Sequence, residues 1–207
     1  MSSERKSIFF TSDWHIGHKK SIEYDQRPFK DIDHMHEVLI NNYNSSVPQE
    51  GICYFLGDIG FSSSDITEKV IKRLHGTKVA IIGNHDKGVN ALYKIGFDVV
   101  LNSAMLYIAK ERVTLSHCPL RGVYREDTKG MGNAKEGENW HGEARHKEFS
   151  ITNEGQFHLH GHIHSGPANK KLKISMRQYD VGVPANQYRP VSISTIESWI
   201  SEIKGKN

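Results

Sequence analysis

Three short apolar segments, each followed at once by polar residues, constrain the fold of this chain more than any other feature. Segments 7–12, 52–56 and 79–82 are rich in β-branched and aromatic residues, which is typical of buried strands. Between them, apolar residues recur at helical spacing over 31–42 and 64–75. This alternation of strand and helix predicts an α/β sheet with a functional site at the carboxyl ends of its strands.

The residues that follow these three segments are of types that bind metal ions or transfer protons. They are Asp13 and His15 after the first segment, Asp58 after the second, and Asn84, His85 and Asp86 after the third. Asp13 and His15 are two residues apart, so both side chains can face one site, where a carboxylate and an imidazole would form half of a metal shell. For this pair alone, a capping aspartate beside an incidental histidine is the alternative.

A run of alternating histidines further along the chain offers more donors of the same kind. In segment 159–165, His160, His162 and His164 project to the same side of an extended backbone. Imidazole is a common metal ligand, although a histidine-rich surface loop gives the same pattern. His117 adds one more imidazole just after another strand-like segment.

Short strand-like segments dominate the second half of the chain and predict a second, more antiparallel sheet. They lie at 99–101, 104–108, 113–115, 156–159 and 179–183. An amphipathic helix is predicted over 191–203. Residues 120–156 are glycine-rich and polar without clear periodicity, which indicates a lid-like insertion or a disordered segment. Because the chain has 207 residues, we expect a single domain over 1–207.

Composition and charge argue against several classes of protein. The net charge of +3 is too small to require a polyanionic partner. Cys53 and Cys118 lie far apart without a CxxC pair, which argues against a disulfide framework or a zinc knuckle. The sequence shows neither a signal-peptide pattern nor an apolar run long enough to cross a bilayer. We therefore expect a cytoplasmic protein without membrane contact.

A basic run without acidic residues follows the histidines. Its members are Lys170, Lys171, Lys173 and Arg177. A solvated hairpin is the simplest interpretation of such a run. The alternative is attraction of phosphate groups, which would make a nucleotide or a nucleic acid a partner. The sequence does not indicate an oligomeric state.

Taken together and in order, the polar stretches resemble the five motifs of the calcineurin-like metallophosphoesterase superfamily. The matching stretches are Asp13-x-His15, Gly57-Asp58, Gly83-Asn84-His85-Asp86, His117 and Gly161-His162-x-His164. The opening Ser12-Asp13-x-His15-x-Gly17-His18 and the ending from Val181 to Ser192 are further similar to small bacterial and phage phosphoesterases of that superfamily. The resemblance implies a four-layer α/β/β/α sandwich of two mixed sheets flanked by helices, with a dimetal site at the strand ends.

The resemblance also implies a role for each residue. The two ligand sets are Asp13, His15, Asp58 and His164 for one ion, and Asp58, Asn84, His117 and His162 for the other. His85 would lie over the phosphate and assist the leaving group, and the neighbouring carboxylate of Asp86 would favour its protonated form. His18 is expected at the pocket rim, where it would contact the substrate together with Asn84 and His85. His160 would stay outside both ligand sets.

Charge and ligand chemistry agree with such a centre. Two divalent cations and two carboxylates leave a net charge of about +2, which suits a phosphate anion and a bridging hydroxide. Two metals about 3.5–4 Å apart can activate that hydroxide for in-line attack on phosphorus. Four imidazoles favour manganese, with iron, zinc or nickel as alternatives, over magnesium or calcium.

The expected function is therefore metal-dependent hydrolysis of a phosphoester, with a phosphodiester of a nucleotide or a short nucleic acid favoured. A phosphomonoesterase that acts on a nucleotide or a phosphoprotein is the nearest alternative. Two alternatives of another class are a non-catalytic scaffold of the same fold and a nucleic-acid-binding module that depends on the basic run.

Overall fold

The computed structural model describes residues 7–60, 64–121, 147–166 and 176–206. The first of two sheets contains the three predicted parallel strands. In spatial order its strands are β4 (Val99–Leu101), β3 (Thr77–Ile81), β2 (Ile52–Leu56), β1 (Ile8–Thr11) and β9 (Val191–Ser192). Strands β1 to β4 run parallel, and β9 runs antiparallel to β1. The carboxyl ends of β1, β2 and β3 therefore meet at one edge of the sheet.

Within the described ranges, five α-helices accompany the strands. They are α1 (Lys20–Tyr24), α2 (Ile32–Ser46), α3 (Ser64–Ile71), α4 (Val89–Lys94) and α5 (Ile193–Gly205). Asp31 caps α2, because its side chain accepts a hydrogen bond of 2.7 Å from the backbone N–H of His34. Helix α2 extends beyond the predicted end, and α3 is shorter than predicted because residues 72–74 continue as turns. None of these helices is long and apolar enough to cross a membrane.

The second sheet differs from its prediction. Its strands, in spatial order, are β5 (Ala104–Ile108), β6 (Glu111–Leu115), β7 (Phe157–His160) and β8 (Gln178–Asp180). Strands β5 and β6 form an antiparallel hairpin, whereas β6, β7 and β8 run parallel. The second sheet is therefore more antiparallel than the first, as expected, but segment 99–101 belongs to the first sheet. A three-residue apolar segment fits either sheet, since its pairing depends on tertiary contacts rather than on its own composition.

Two hydrophobic cores hold the layers together. One packs the first sheet against α2, α3 and α4, and includes Trp14 and Phe55. The other lies between the two sheets and is completed by α5, with Leu115, Leu159 and Ile196. The predicted α/β class, with two mixed sheets flanked by helices, is confirmed. The fourth layer of the expected sandwich, outside the second sheet, stays a prediction.

One histidine of α2 has an unexpected environment. As a polar residue of the helix predicted over 31–42, His36 is expected to be solvated. Its side chain is instead buried. Its Nε2 accepts a hydrogen bond of 3.0 Å from the backbone N–H of Gly17. His36 therefore ties α2 to the loop that follows β1.

The insertion predicted at 120–156 is described at its two ends. Arg121 forms a parallel bridge with Thr152, and residues 147–149 form a short 3-10 turn. Residues 122–146 lie outside the described residues, so the prediction of a lid stays a prediction.

The basic run is described at its last member. Lys170, Lys171 and Lys173 lie outside the described residues. The guanidinium of Arg177 donates a hydrogen bond of 2.7 Å to the carbonyl of Gly155. This contact gives Arg177 a structural role in joining two loops of the second sheet.

Candidate metal centre

The seven predicted metal ligands meet at the carboxyl ends of the strands that precede them. Asp13 and His15 follow β1, Asp58 follows β2, Asn84 follows β3, His117 follows β6, and His162 and His164 follow β7. Strands β1 to β3 are parallel neighbours, and so are β6 and β7. Their five loops consequently open towards one edge of the two-sheet core, where the side chains form two clusters of donor atoms.

The first cluster consists of Asp13, His15 and His164. The Nε2 atoms of His15 and His164 are 2.9 Å apart, although 149 residues separate them in the sequence. The Nε2 of His164 is also 3.4 Å from Oδ1 of Asp13. The donor atoms of these three residues all lie within 4.8 Å of one another, which is close enough for one metal ion.

The second cluster consists of Asn84, His117 and His162. The Oδ1 of Asn84 lies 2.8 Å from Nε2 of His117 and 2.9 Å from Nδ1 of His162. The two imidazole nitrogens are 3.1 Å apart. Three donor atoms from three separate loops therefore converge on one point.

Asp58 lies between the two clusters. Its Oδ2 is 3.7 Å from Nε2 of His15 in the first cluster, and its Oδ1 is 3.4 Å from Nε2 of His117 in the second. The carboxylate is almost completely buried. Each of its oxygens thus faces a different cluster, which is the arrangement of a bridging ligand.

The donor atoms of the second cluster are spaced as the ligands of one cation would be. The Nδ1–H of His117 donates to the carbonyl oxygen of Leu56 at 2.8 Å, and Nε2 faces Oδ1 of Asn84. Burial opposes the charge of His117, but the negative charges of Asp58 and Asp13 raise its pKa, so the protonated ring donates from Nε2 to Asn84. When the imidazole is neutral, its lone pair is on Nε2 and available to a metal. Two ligand atoms bound at right angles to one cation, each at about 2.1 Å, would lie about 3.0 Å apart, close to the separations observed here.

Five of the seven predicted ligands have left-handed backbone conformations, which residues other than glycine rarely adopt. They are Asp13 (φ 59°), His15 (φ 51°), Asp58 (φ 52°), His162 (φ 70°) and His164 (φ 47°). Each residue held in this conformation lowers the stability of the fold by roughly 1–3 kcal/mol. Strain of this kind is concentrated at functional sites, where it directs side chains in ways that a regular strand does not allow.

Two glycines of the motifs allow the loops to approach closely. A Cβ atom at Gly57 would lie 2.5 Å from Nδ1 of His117, and Gly57 itself has a φ of +86°. A Cβ at Gly161 would collide with the side chains of Ser12 and Asp13. Both positions therefore require glycine if the donor atoms are to keep their separations.

Sequence reasoning missed two buried residues that contact the first cluster. The Nδ1–H of His164 donates to both carboxylate oxygens of Asp25, at 2.9 Å each. Arg27 pairs with the same carboxylate at 2.8 Å. Segment 24–30 predicts a loop, and an aspartate two residues from an arginine is too common a pattern to indicate this role.

The first cluster is a coupled set of acids and bases. Burial opposes the charge of His164, but hydrogen bonds to Asp13 and Asp25 and their negative charges raise its pKa to about 10. Burial also opposes the charge of Asp13, but the hydrogen bond and charge of His164 hold the pKa of this carboxyl well below its usual range. Burial and the charge of His164 lower the pKa of His15. Without a cation, His164 therefore carries a proton that a metal ion would displace.

His85 and His18 flank the first cluster on its accessible side. Both rings have their centroids 5.8 Å from that of His15. The His85 side chain is 43% exposed, with Nε2 3.9 Å from Oδ2 of Asp58. Its backbone N–H donates to Oδ1 of Asp58 at 3.0 Å. Both histidines are therefore placed where a molecule bound at the two clusters would meet them.

Asp86 has a different environment from the one expected. Its buried carboxylate accepts hydrogen bonds of 2.8–3.0 Å from the backbone N–H groups of Asp58, Ile59 and Gly83. Burial and the charge of Asp58 raise its pKa to about 6, against the effect of these hydrogen bonds. These contacts make Asp86 a residue that fixes the loops after β2 and β3, and its predicted influence on His85 stays a prediction.

His160 and Cys118 are buried beside the clusters. The Nδ1–H of His160 donates to the carbonyl of Gly161 at 2.8 Å, and its ring stacks on that of His158. The Cys118 sulfur lies within 4.8 Å of donor atoms of His117 and His162 in the second cluster. Burial raises the pKa of its thiol, which disfavours the thiolate form that binds metals. His160 belongs to neither cluster of metal-binding groups in the described residues.

Comparisons with known proteins give relatives without a stated activity. No family model matches the chain. An uncharacterized protein of Methanocaldococcus jannaschii is 38% identical over 84 residues, which cover 40% of this chain and 48% of that protein. The gene 66 proteins of mycobacteriophages L5 and D29 are 29% and 28% identical, and the matches cover 86% of this chain and 87% and 88% of the phage proteins.

A solved structure extends the comparison to the fold. It is the crystal structure of a protein of unknown function from Aquifex aeolicus, with 25% sequence identity and a TM-score of 0.66. The superposition covers 94% of this chain and 99% of that one. The two chains therefore share one fold over nearly their whole lengths.

Proposed function

We propose that this chain is a metal-dependent phosphoesterase of the calcineurin-like type, with the four-layer sandwich of that superfamily. The observation that carries the proposal is the position of Asp58, which presents one oxygen to each of two donor clusters. This buried carboxylate lies between two groups of imidazoles that come from separate loops. A pair of divalent cations would account for that arrangement.

The chain supplies a complete set of donors for two such ions. The first would be held by Asp13, His15, His164 and Asp58, and the second by Asn84, His117, His162 and Asp58. Bound there, manganese, iron, zinc or nickel would supply Lewis acidity, which lowers the pKa of a water molecule and neutralises phosphate charge.

Residues of the chain would orient the substrate and protonate its leaving group. The rings of His85 and His18 both lie 5.8 Å from that of His15, so a phosphate bound at the clusters would meet both. The His85 side chain is 43% exposed, and its Nε2 is suited to donate a hydrogen bond or a proton to the departing oxygen. Asp86 would keep the backbone of Asp58 in place while this happens.

A phosphodiester is the favoured substrate class, with a nucleotide or a short nucleic acid as its source. Among the residues that the structure describes, Arg27 contacts the ligand loops through its guanidinium, and its hydrogen bonds go to protein acceptors such as Asp25 and the carbonyls of Asp13 and Trp14. It is therefore not free to bind the extra charge of a monoester dianion. The monoanion of a diester requires no such clamp.

Hydrolysis of two model substrates tests the proposal. Metal-free protein is loaded with manganese and assayed with bis-p-nitrophenyl phosphate and p-nitrophenyl phosphate, and a chelated sample is the control. We expect metal-dependent hydrolysis, faster for the diester. Faster hydrolysis of the monoester would support a phosphomonoesterase instead.

Two further results would contradict the enzymatic proposal. Two bound metal ions per chain without hydrolysis of any phosphoester would support a scaffold of the same fold. Salt-sensitive binding to nucleic acid that survives chelation would support a nucleic-acid-binding module.

A further inference from the structure

A buried arginine organises the loop that carries two of the proposed ligands. Arg27 is 4% exposed. Its Nη2 donates to the backbone carbonyl of Asp13 and its Nη1 to that of Trp14, both at 3.1 Å. These two carbonyls lie between Asp13 and His15, which both have left-handed backbone conformations. Arg27 is therefore bonded to the strained part of this loop.

The same guanidinium is bonded to an aspartate that contacts the other loop of the first cluster. Its Nε and Nη2 donate to Oδ2 of Asp25 at 3.0 and 2.8 Å. Asp25 in turn accepts the Nδ1–H of His164. Arg27 and Asp25 thus connect the loop after β1 to the loop after β7.

The contact between Asp25 and His164 determines which nitrogen is available to a metal. When Nδ1 carries the proton that Asp25 accepts, the lone pair of the neutral imidazole is on Nε2. Nε2 is the atom that lies 2.9 Å from Nε2 of His15 and 3.4 Å from Asp13. A carboxylate behind a ligating histidine fixes its tautomer and orientation and makes it a stronger ligand.

In the second cluster, His117 is oriented by a backbone carbonyl rather than by a carboxylate. The Nδ1–H of His117 donates to the carbonyl of Leu56, which orients the ring but carries no negative charge. We infer that Asp25 and Arg27 are positioning residues for the first cluster, which give it selectively higher metal affinity than the second. This inference rests on the metal-binding part of the proposed function.

Variants that leave one cluster intact at a time provide the test. His162→Ala removes a donor of the second cluster, so the ion that remains binds at the first. His15→Ala does the reverse. Asp25→Asn is added to each background, and the dissociation constant of manganese is measured in full-length metal-free protein by calorimetry and by electron paramagnetic resonance.

The two backgrounds should respond differently. Asp25→Asn is expected to weaken binding by about 10–100-fold in His162→Ala and by less than about 2-fold in His15→Ala. Equal weakening in both backgrounds, or none in either, would overturn the inference. The measured metal affinity does not depend on catalysis. If Asp25→Asn weakens metal binding only at the first cluster and the protein hydrolyses no phosphoester, the proposed enzyme is contradicted but the positioning role of Asp25 is supported.

Two additional variants separate positioning from a general loss of structure. Arg27→Lys keeps the positive charge but loses the fork that bonds Asp25 and two carbonyls, so selective weakening of the first cluster is expected again. Asp98→Asn is the control, because the Asp98 carboxylate accepts a hydrogen bond from the backbone N–H of Lys78 near the start of β3, at the opposite end of that strand from Asn84. Selective weakening of the first cluster by Asp98→Asn would contradict a specific role for Asp25.

Discussion

The two donor clusters share Asp58 but are supported in different ways. The first contains a carboxylate of its own, Asp13, and its histidine His164 is backed by a buried ion pair. The second contains the neutral amide of Asn84, and its histidine His117 is backed by a backbone carbonyl. Groups of similar ligand type need not bind a metal equally well, because charged groups behind the ligands change their affinity.

Loss of the shared ligand should have the largest effect. Asp58→Asn removes a negative charge that faces both clusters, so metal binding is expected to weaken at both and phosphoester hydrolysis to fall by at least about 100-fold. Activity with manganese and metal content per chain are the measurements. Asp98→Asn is the control, since the Asp98 carboxylate is 52% exposed and bonds Lys78. Full activity in Asp58→Asn would contradict the role of Asp58 as a ligand shared by the two clusters.

His85→Ala should reduce the rate without reducing metal content. His85 flanks the first cluster but donates no atom to it, so we expect kcat to fall by about 100-fold with two ions still bound. If His85 protonates the leaving group, the loss is larger for phenyl than for p-nitrophenyl esters. Equal loss on both esters would indicate charge stabilisation instead, and loss of bound metal would make His85 a ligand.

The affinities of the isolated clusters test the comparison itself. His162→Ala retains the first cluster and His15→Ala the second. The charge of Asp13 and the support from Asp25 lead us to expect manganese to bind at least about 10-fold more tightly to His162→Ala. Equilibrium dialysis with matched protein concentrations gives both constants. Tighter binding to His15→Ala would reverse the order of the two clusters.

The smallest effect that we expect is on the pH dependence of protein stability, and it comes from the titratable groups of the first cluster. The pKa of His164 rises from 6.5 to about 10 on folding, so this group stabilises the metal-free protein fully below pH 6.5 and loses the effect as pH rises towards 10. Asp13, with a lowered pKa, acts in the other direction, and its contribution is lost as pH falls below its ordinary value of 3.8.

Thermal unfolding of chelated protein between pH 6 and 10 measures this effect. The midpoint should decline with pH more steeply for the wild type than for His164→Gln, which has no group that titrates there. Equal slopes would show that His164 is not protonated in the folded metal-free protein.

The sequence was sufficient to predict that the donor side chains meet, because each follows a strand whose end lies at the same edge. Asp13, Asp58 and Asn84 could be located from the order of strands alone, since parallel strands end at one edge. Asp25 and Arg27 could not, because their role depends on contact with His164 across 139 residues of chain. Local patterns do not encode such contacts.

Errors in the predicted fold have the same origin. Segment 99–101 was predicted in the second sheet but pairs with β3, and His36 was predicted in solvent but bonds the backbone of Gly17. The carboxylate of Asp86 likewise bonds the backbone of the neighbouring loops, a contact that its adjacency to His85 does not indicate. In each case a tertiary contact decides what the local sequence leaves open.

A crystal structure of the protein grown with manganese, with anomalous diffraction to locate the metal, would reveal whether Asp58 joins two metal ions. We expect two manganese ions per chain, one at each donor cluster, with the two carboxylate oxygens of Asp58 bound to different ions. One ion, no ion, or two ions that Asp58 does not join would contradict this expectation.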